Sequence, residues 1–321
     1  MLVEDVASTC GMDVEVTSKL RNAGYVTVEA VAVTLPREIV EKTELEFDAV
    51  LDIQEAARKL FTVDFKTAKE AYEQKKMHRC RTGSVKLDGI LGGGMETQAL
   101  TELIGQYGSG KTQICLTLSV TAQLPFEKGG LEGNVAFIDT EGTFTPERVY
   151  QIAAKMGLDP AEAANNILTA RAYNSSHQCL LIDHLFKVCP ENKVKLIVVD
   201  SMISHFRGEY VGREALSERQ QHLNEYLHKL IRLSEAYNLA VVITNQVISN
   251  PAQFWGNPEN PTGGHIMAHA CTHRVKLRRG KEGTRVAKII DSPYLPEDEA
   301  SFKITEKGVE DVEEKKEKEK N

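Results

Sequence analysis

Gly105, Gln106, Tyr107, Gly108, Ser109, Gly110, Lys111 and Thr112 spell a complete G-x-x-x-x-G-K-[ST] pattern, and no other stretch restricts the fold as tightly. Residues 100–104 lead into it as a short apolar strand. Residues 113–123 follow as a helix carrying Ile114, Leu116, Leu118 and Val120. In this setting the glycines let backbone N–H groups turn inward around a phosphate chain, and the helix N-terminus adds partial positive charge. Lys111 reaches the terminal phosphates, and Thr112 offers a hydroxyl to Mg²⁺. The bland alternative is an ordinary glycine-rich turn between a strand and a helix. The flanking elements favour a nucleotide site.

A chain of 321 residues suggests two domains or one large one. No run approaches the length of a membrane span, and the N-terminus lacks a signal pattern, so we expect a cytoplasmic protein with no membrane partner. The six cysteines form no C-x-x-C pair and read as reduced thiols. A net charge of −7 argues against coating nucleic acid by bulk charge, although a local basic channel is compatible with it.

Along the chain, residues 1–60 place Leu20, Tyr25, Val28, Val31, Ile39 and Val40 at mostly helical spacing, which predicts a small all-helical N-terminal domain with Pro36 opening one helix. Residues 61–81 read as a linker with a short helix and a basic end. From Thr82 the pattern alternates strand and helix. Gly92, Gly93 and Gly94 resemble a second phosphate loop, but no lysine follows, and we read them as a tight turn. Apolar runs at 135–138, 196–199 and 239–243, with helices between, predict a mostly parallel central sheet covered on both faces, an α/β fold. A long helix is expected over 215–236, with Leu223, Leu227, Leu230, Ile231 and Ser234 in one stripe. Alternation at 274–278 and 285–290 around Gly280 and Gly283 predicts an antiparallel hairpin. The core thus covers 82–309, and the Glu/Lys-rich run 310–321 is expected to be disordered.

Three strand ends carry polar groups. Residues 196–199 end in Asp200, which suits a water-mediated contact to Mg²⁺ opposite Thr112. Residues 135–138 end in Asp139, with Glu141 just beyond. Glu141 is the candidate to activate water, and Asp139 is its local rival. The third end presents Gln246, whose amide suits a sensor of the γ-phosphate. Two inserts bear on what hydrolysis drives. One carries Arg207, Arg213 and Arg219; the other, 247–264, is rich in Asn, Pro and Gly and carries Phe254 and Trp255 before Gly263 and Gly264. Arginines for phosphates and aromatics for bases suit single-strand binding, whereas a plain surface loop and a solvated helix start are the bland reading. His265, His269 and His273, spaced by four, would stack along one helix as a metal face, although no second ligand pair supports zinc.

Taken together, the chain resembles the archaeal RadA and eukaryotic Rad-type strand-exchange recombinases of the RecA superfamily from about residue 15 to 311. The likeness rests on Thr82-Gly-Ser, the 91–94 turn, the phosphate loop, 138–141, Pro146-Glu-Arg148, 196–201, 206–221, 244–246, Gly263-Gly-His265, and Asp291-Ser-Pro with Leu295-Pro296-Glu297. It implies a RecA-type P-loop ATPase core that forms a helical filament or ring with its own copies on single-stranded DNA. Such an assembly pairs with homologous duplex DNA and exchanges strands in recombination and repair. It also implies ATP with Mg²⁺ at Lys111 and Thr112, water activation by Glu141, Arg148 on the adenine, and Gln246 coupling the γ-phosphate to the second DNA loop. Arg207, Arg213 and Arg219 fall to the first DNA loop, and 247–264, with Phe254, Gly263 and Gly264, to the second. Asp291 and Pro296 cap the neighbouring protomer's ATP, with K⁺ near Asp291. Phe65 to Ala68 match the family's F-x-x-A polymerisation motif, a case of strand addition. Recombination mediators are a further implied class of partner, and the location is the archaeal nucleoid, or the nucleus in a eukaryote. This chain departs from the family at 9–13 and 42–46, where acids stand at positions at which the helix-hairpin-helix turns carry glycines and neutral residues. A hexameric DNA motor and a non-catalytic mediator are competing readings. The F-x-x-A linker argues against the first, and intact Lys111, Thr112, Glu141 and Asp200 against the second.

Overall fold

A computed structural model describes residues 1–7, 11–60, 65–74, 76–212, 214–249 and 259–313. Near the N-terminus, helices Val14–Asn22, Val28–Val33, Pro36–Thr43 and Phe47–Leu60 enclose Leu20, Tyr25, Ile39 and Val50. Their starts follow local chemistry: Asp13 accepts the Val16 N–H at 2.7 Å, Thr27 accepts that of Ala30 at 3.1 Å, and Pro36 opens its helix at the first turn. This bundle leans on the rest through Gly24, where an added Cβ would lie 3.5 Å from the Phe186 ring. Beyond it, Thr67 and Glu70 exchange bonds as a capping box, so helix Ala68–Gln74 starts at Ala68 and leaves Phe65 outside, fully exposed.

Two short strands, β1 (Arg79–Cys80) and β2 (Met95–Glu96), pair antiparallel ahead of the main sheet. The sheet contains β3 (Ala99–Gly105), β4 (Asn134–Asp139), β5 (Ile167–Arg171), β6 (Val194–Asp200) and β7 (Ala240–Asn245). After a separate ribbon, β8 (Val247–Ser249) with β9 (Glu259–Pro261), it continues through β10 (His273–Arg279), β11 (Arg285–Asp291), β12 (Glu299–Thr305) and β13 (Gly308–Asp311). The order is β13-β12-β11-β10-β3-β7-β6-β4-β5, with β10 through β5 parallel and the last three strands of the chain antiparallel. The phosphate-loop strand β3 therefore runs through the middle.

Both faces are buried, as expected of parallel strands. Val135, Phe137, Leu196, Val198 and Val242 point to one core with helices Lys111–Thr121 and Pro146–Met156. Their alternates Ala136, Ile138, Ile197, Val199 and Val241 point to the other, with helices Ser175–Glu191 and Leu216–Tyr237. The long helix buries Tyr226 and Leu233 beside the expected Leu223, Leu227, Leu230 and Ser234, while Ile231 is only half-buried. No helix among the described residues is long and apolar enough to cross a membrane.

Several expectations change. The charged run does not begin at 310 as a free tail: Glu310 and Asp311 close β13. The Asp311 carboxylate accepts the Ser84 hydroxyl at 2.6 Å and the N–H groups of Val85 and Lys86 at 3.1 and 3.0 Å. An acid at a helix N-terminus is stabilised there, which explains its order. The 247–264 segment is not structureless throughout, because β8 and β9 tie its two ends together. The histidine face does not form. The helix of His265 and His269 ends at Ala270, and His273 opens β10 with its ring buried. Among the described residues no group of three or more His, Cys, Asp or Glu is arranged for a metal ion.

Candidate functional site

The phosphate loop leaves β3 at Gly105 and enters its helix after Gly110. Gly108 and Gly110 hold φ of 74° and 106°, which other residues rarely adopt. Space demands glycine as well: a Cβ on Gly105 would lie 2.5 Å from Leu277 O and from Ser109 Oγ, and one on Gly108 would meet Arg279 Nη2 at 2.1 Å. Gln106 and Tyr107 form the outer turn, with Tyr107 exposed. Lys111 Nζ donates to the carbonyls of Gly105 and Gln106 at 2.8 and 3.1 Å, and burial pulls its pKa below the usual range, opposed by Asp200 and Glu141. Buried Ser109 Oγ has no hydrogen-bond partner among the described residues.

This loop lines a cavity of about 310 Å³ together with Thr112, Glu141, Asp200, Gln246 and Arg285. Thr112 donates its hydroxyl to Asp200 Oδ2 at 2.6 Å, and Thr244 donates to Oδ1 at 2.5 Å. Burial pushes the Asp200 carboxyl up, against these two bonds and the Lys111 charge. A hydroxyl and a carboxylate side by side at a phosphate cradle are the hard oxygen donors that a divalent cation takes beside nucleotide phosphates, so the residues fit such an ion.

Geometry separates the two rival acids. Asp139 Oδ1 accepts the N–H groups of Glu141, Gly142 and Thr143 at 3.1, 2.7 and 3.2 Å, and Oδ2 accepts that of Phe144 at 3.2 Å. It shapes the turn that carries Glu141 into the cavity. Glu141 Oε1 accepts the Gln246 Nε2 donor at 2.6 Å, so the candidate base and the candidate sensor touch. The Gln246 carbonyl accepts both the N–H and the hydroxyl of Thr262, at 3.1 and 2.9 Å, at the exit of the 247–264 segment.

The other expected residues fall at several places. Arg148 is half-buried, donating to Gln113 Oε1 at 2.9 Å and to the Thr305 and Glu306 carbonyls; Gln113 in turn lines the cavity. Arg207 is exposed on helix Ser204–Glu209, Arg219 is half-buried on the long helix, and Arg213 and Phe254 lie outside the described residues. Gly263 caps helix Gly264–Ala270 with φ of 95°, and a Cβ there would meet Met267 Cγ at 2.4 Å. Asp291 and Pro296 are not at this protomer's own phosphate loop. Leu277 pairs with Gly105, whereas Asp291 pairs with Arg274, so the segment after β11 leaves the opposite end of the sheet.

Sequence reasoning missed the arginines that brace the loop: Arg285 Nε donates to Gly108 O at 3.1 Å, and Arg279 Nη2 to Tyr107 O at 3.4 Å. It also missed a buried triad in which Glu102 accepts from Arg274 Nε and Asn245 Nδ2, each at 2.6 Å. Both arise from the strand order β11-β10-β3-β7, which no strand's own pattern reveals.

A phosphate cradle on the middle strand of a mostly parallel sheet, with acids at neighbouring strand ends, defines a RecA-type P-loop ATPase core. A Rad51 family model matches residues 73–312, and the chain belongs to that family. It is 47% identical over 312 residues, covering 97% of this chain and 98% of the relative, to the DNA repair and recombination protein RadA of Aeropyrum pernix.

Proposed function

We infer that this protein is a DNA-dependent ATPase that carries out homologous recombination and recombinational repair through strand exchange. It uses ATP with a divalent metal, which we assign as Mg²⁺; Thr112 would hold it directly and Asp200 through water. When bound, the cation neutralises phosphate oxygens as charge develops on them. Lys111 swings from the Gly105 and Gln106 carbonyls to the β- and γ-phosphates. Glu141 accepts the proton of the attacking water, held in place by the Gln246 amide. Asp291 and Pro296 complete the site of the next protomer, with K⁺ beside Asp291. Arg148, through Gln113, borders the adenine.

The observation that carries this mechanism is the double attachment of Gln246. Its side chain touches Glu141 and its carbonyl holds Thr262, so loss of the γ-phosphate is felt where the 247–264 segment rejoins the core. That segment, with Gly263, Gly264 and Phe254, together with Arg207, Arg213 and Arg219, is the proposed surface for single-stranded DNA.

Filament assembly follows from a second pair of features. Among the described residues strand β5 ends the sheet with one edge unpaired, and beside it lies a cavity of about 260 Å³ lined by Ala136, Ile138, Leu168, Ala170, Leu185 and Val188. Phe65, fully exposed at the start of the linker motif, supplies an apolar side chain for it in a neighbouring copy. The test is strand exchange between homologous DNAs with ATP, Mg²⁺ and K⁺. Joint molecules and DNA-stimulated turnover are expected; turnover without any exchanged product would favour a motor, and absence of both turnover and product a mediator.

A further inference from the structure

The glycine turn at 92–94 has no part in the chemistry above, yet its three residues hold φ of 68°, 120° and 130°, which side chains rarely adopt. A Cβ on Gly92 would lie 3.1 Å from Leu295 Cδ2, one on Gly93 3.1 Å from Arg79 Cδ, and one on Gly94 2.4 Å from Cys80 O. The turn is thus a bare platform. Strand β1, which ends the polymerisation linker, lies against it, and so does the segment following Asp291. Arg79 pairs with Glu96 across the β1–β2 ribbon, its Nη2 3.1 Å from Glu96 Oε2. Glu96 is buried at 3% exposure, and the same oxygen accepts the Tyr294 hydroxyl. On the other side of Tyr294, the His273 ring meets it edge-on at 5.4 Å, and His273 Nδ1 lies 3.0 Å from Ser292 Oγ. Ser292 Oγ also accepts the N–H of Leu295 at 3.0 Å, which curls the segment back.

We propose that Glu96 is a positioning residue for ATP hydrolysis in the adjacent protomer. With Arg79 and Tyr294 it clamps the 291–296 segment to the strand that ends the linker, so linker docking and nucleotide capping move as one unit. This rests on the reading that Asp291 and Pro296 cap the neighbour's nucleotide. Glu96 touches no substrate; it acts through the segment it holds. A buried, charge-assisted bond of this kind fixes orientation as well as energy.

The test compares full-length Tyr294→Phe and Glu96→Gln with the parent in DNA-stimulated ATP turnover across ATP concentrations. The concentration for half-maximal rate is expected to rise about tenfold, the scale of losing one hydrogen bond to a buried charge, with the saturated rate within about twofold. Each variant is also mixed with Lys111→Ala, whose phosphate loop is disabled and whose 291–296 segment is intact. The mixture should regain turnover at low ATP, exceeding the average of the two proteins alone, because an intact cap now covers an intact loop. Thermal melting selects whichever variant keeps the parental fold. Unchanged half-saturation in the folded variant, or a defect that mixing does not relieve, overturns the proposal. Asp291→Ala mixed with Lys111→Ala is the control: if that pair regains turnover while the clamp variants show no defect, only the clamp is wrong. If the control pair regains nothing, the shared-site reading fails and the clamp falls with it.

Discussion

Phe65 gives the sharpest quantitative expectation. Its side chain is fully exposed in the protomer, so Phe65→Ala should leave the folding stability of one chain within about 0.5 kcal/mol. Its proposed cost appears only on assembly. Burying a phenylalanine side chain contributes about 2–3 kcal/mol, and each protomer–protomer contact in a filament buries one. Loss of that contact should raise the protein concentration for half-maximal filament formation roughly 30- to 150-fold. Light scattering on single-stranded DNA, with a non-hydrolysable ATP analogue, reads this midpoint directly. The partner side is tested by Ala170→Trp, which fills the cavity beside β5. Either change alone should weaken assembly, but the double variant should be little worse than the stronger single one, since both remove the same contact. Full additivity, or an unchanged midpoint for Phe65→Ala, would refute the assignment of Phe65 to that cavity.

Three further predictions probe the protomer. Arg274→Met leaves the fully buried Glu102 carboxylate without its cation and should destabilise the chain by about 3–5 kcal/mol in urea titrations, while Glu102→Leu added to it should recover at least half. Asp88 is pushed up to about 6 by burial, although the Thr82 N–H and hydroxyl each donate to it at 2.7 Å. The folded state then binds more protons than the unfolded between about pH 4 and 6, so stability falls across that window by about 3 kcal/mol as pH rises and levels off above it. Asp88→Asn should lack this component of the slope, and parallel stability–pH curves for the two proteins would sink the idea. Glu44 ends helix Pro36–Thr43 at φ of 55°, the left-handed position that favours glycine, so Glu44→Gly should stabilise the N-terminal helices by about 0.5–1 kcal/mol in calorimetry.

What could be read from the sequence was whatever short-range pattern determines. The loop at 105–112, the apolar strands ending at Asp139 and Asp200, and the 273–291 hairpin each carry their signal within about ten residues. The part that escaped depends on strand order. Strand β5 lies at the end of the sheet among the described residues and buries only Ile167 fully, so it carries no apolar run like those of its neighbours. Strand β13 ends inside the charged run 310–321, which resembles a tail until Asp311 is seen capping a helix more than two hundred residues earlier. The histidine spacing misled for the same reason: periodicity continues on paper past Ala270, whereas the backbone turns there to place β10 beside β3.

Strand direction also explains why one chain holds only half of each proposed nucleotide site. The phosphate loop, Glu141 and Asp200 all follow the C-terminal ends of parallel strands, so they gather at one end of the sheet. Strand β11 runs the other way, and its end at Asp291 must therefore emerge at the opposite end. No rotation of a side chain reverses that. A protomer can bring its 291–296 segment to a phosphate loop only by meeting another copy, and the arrangement of β5 and Phe65 offers a way to stack copies in one direction. In the proposed site, hydrolysis and assembly are linked by topology before any conformational change is invoked. The Glu141–Gln246–Thr262 chain carries the same event inward to the segment proposed to hold DNA.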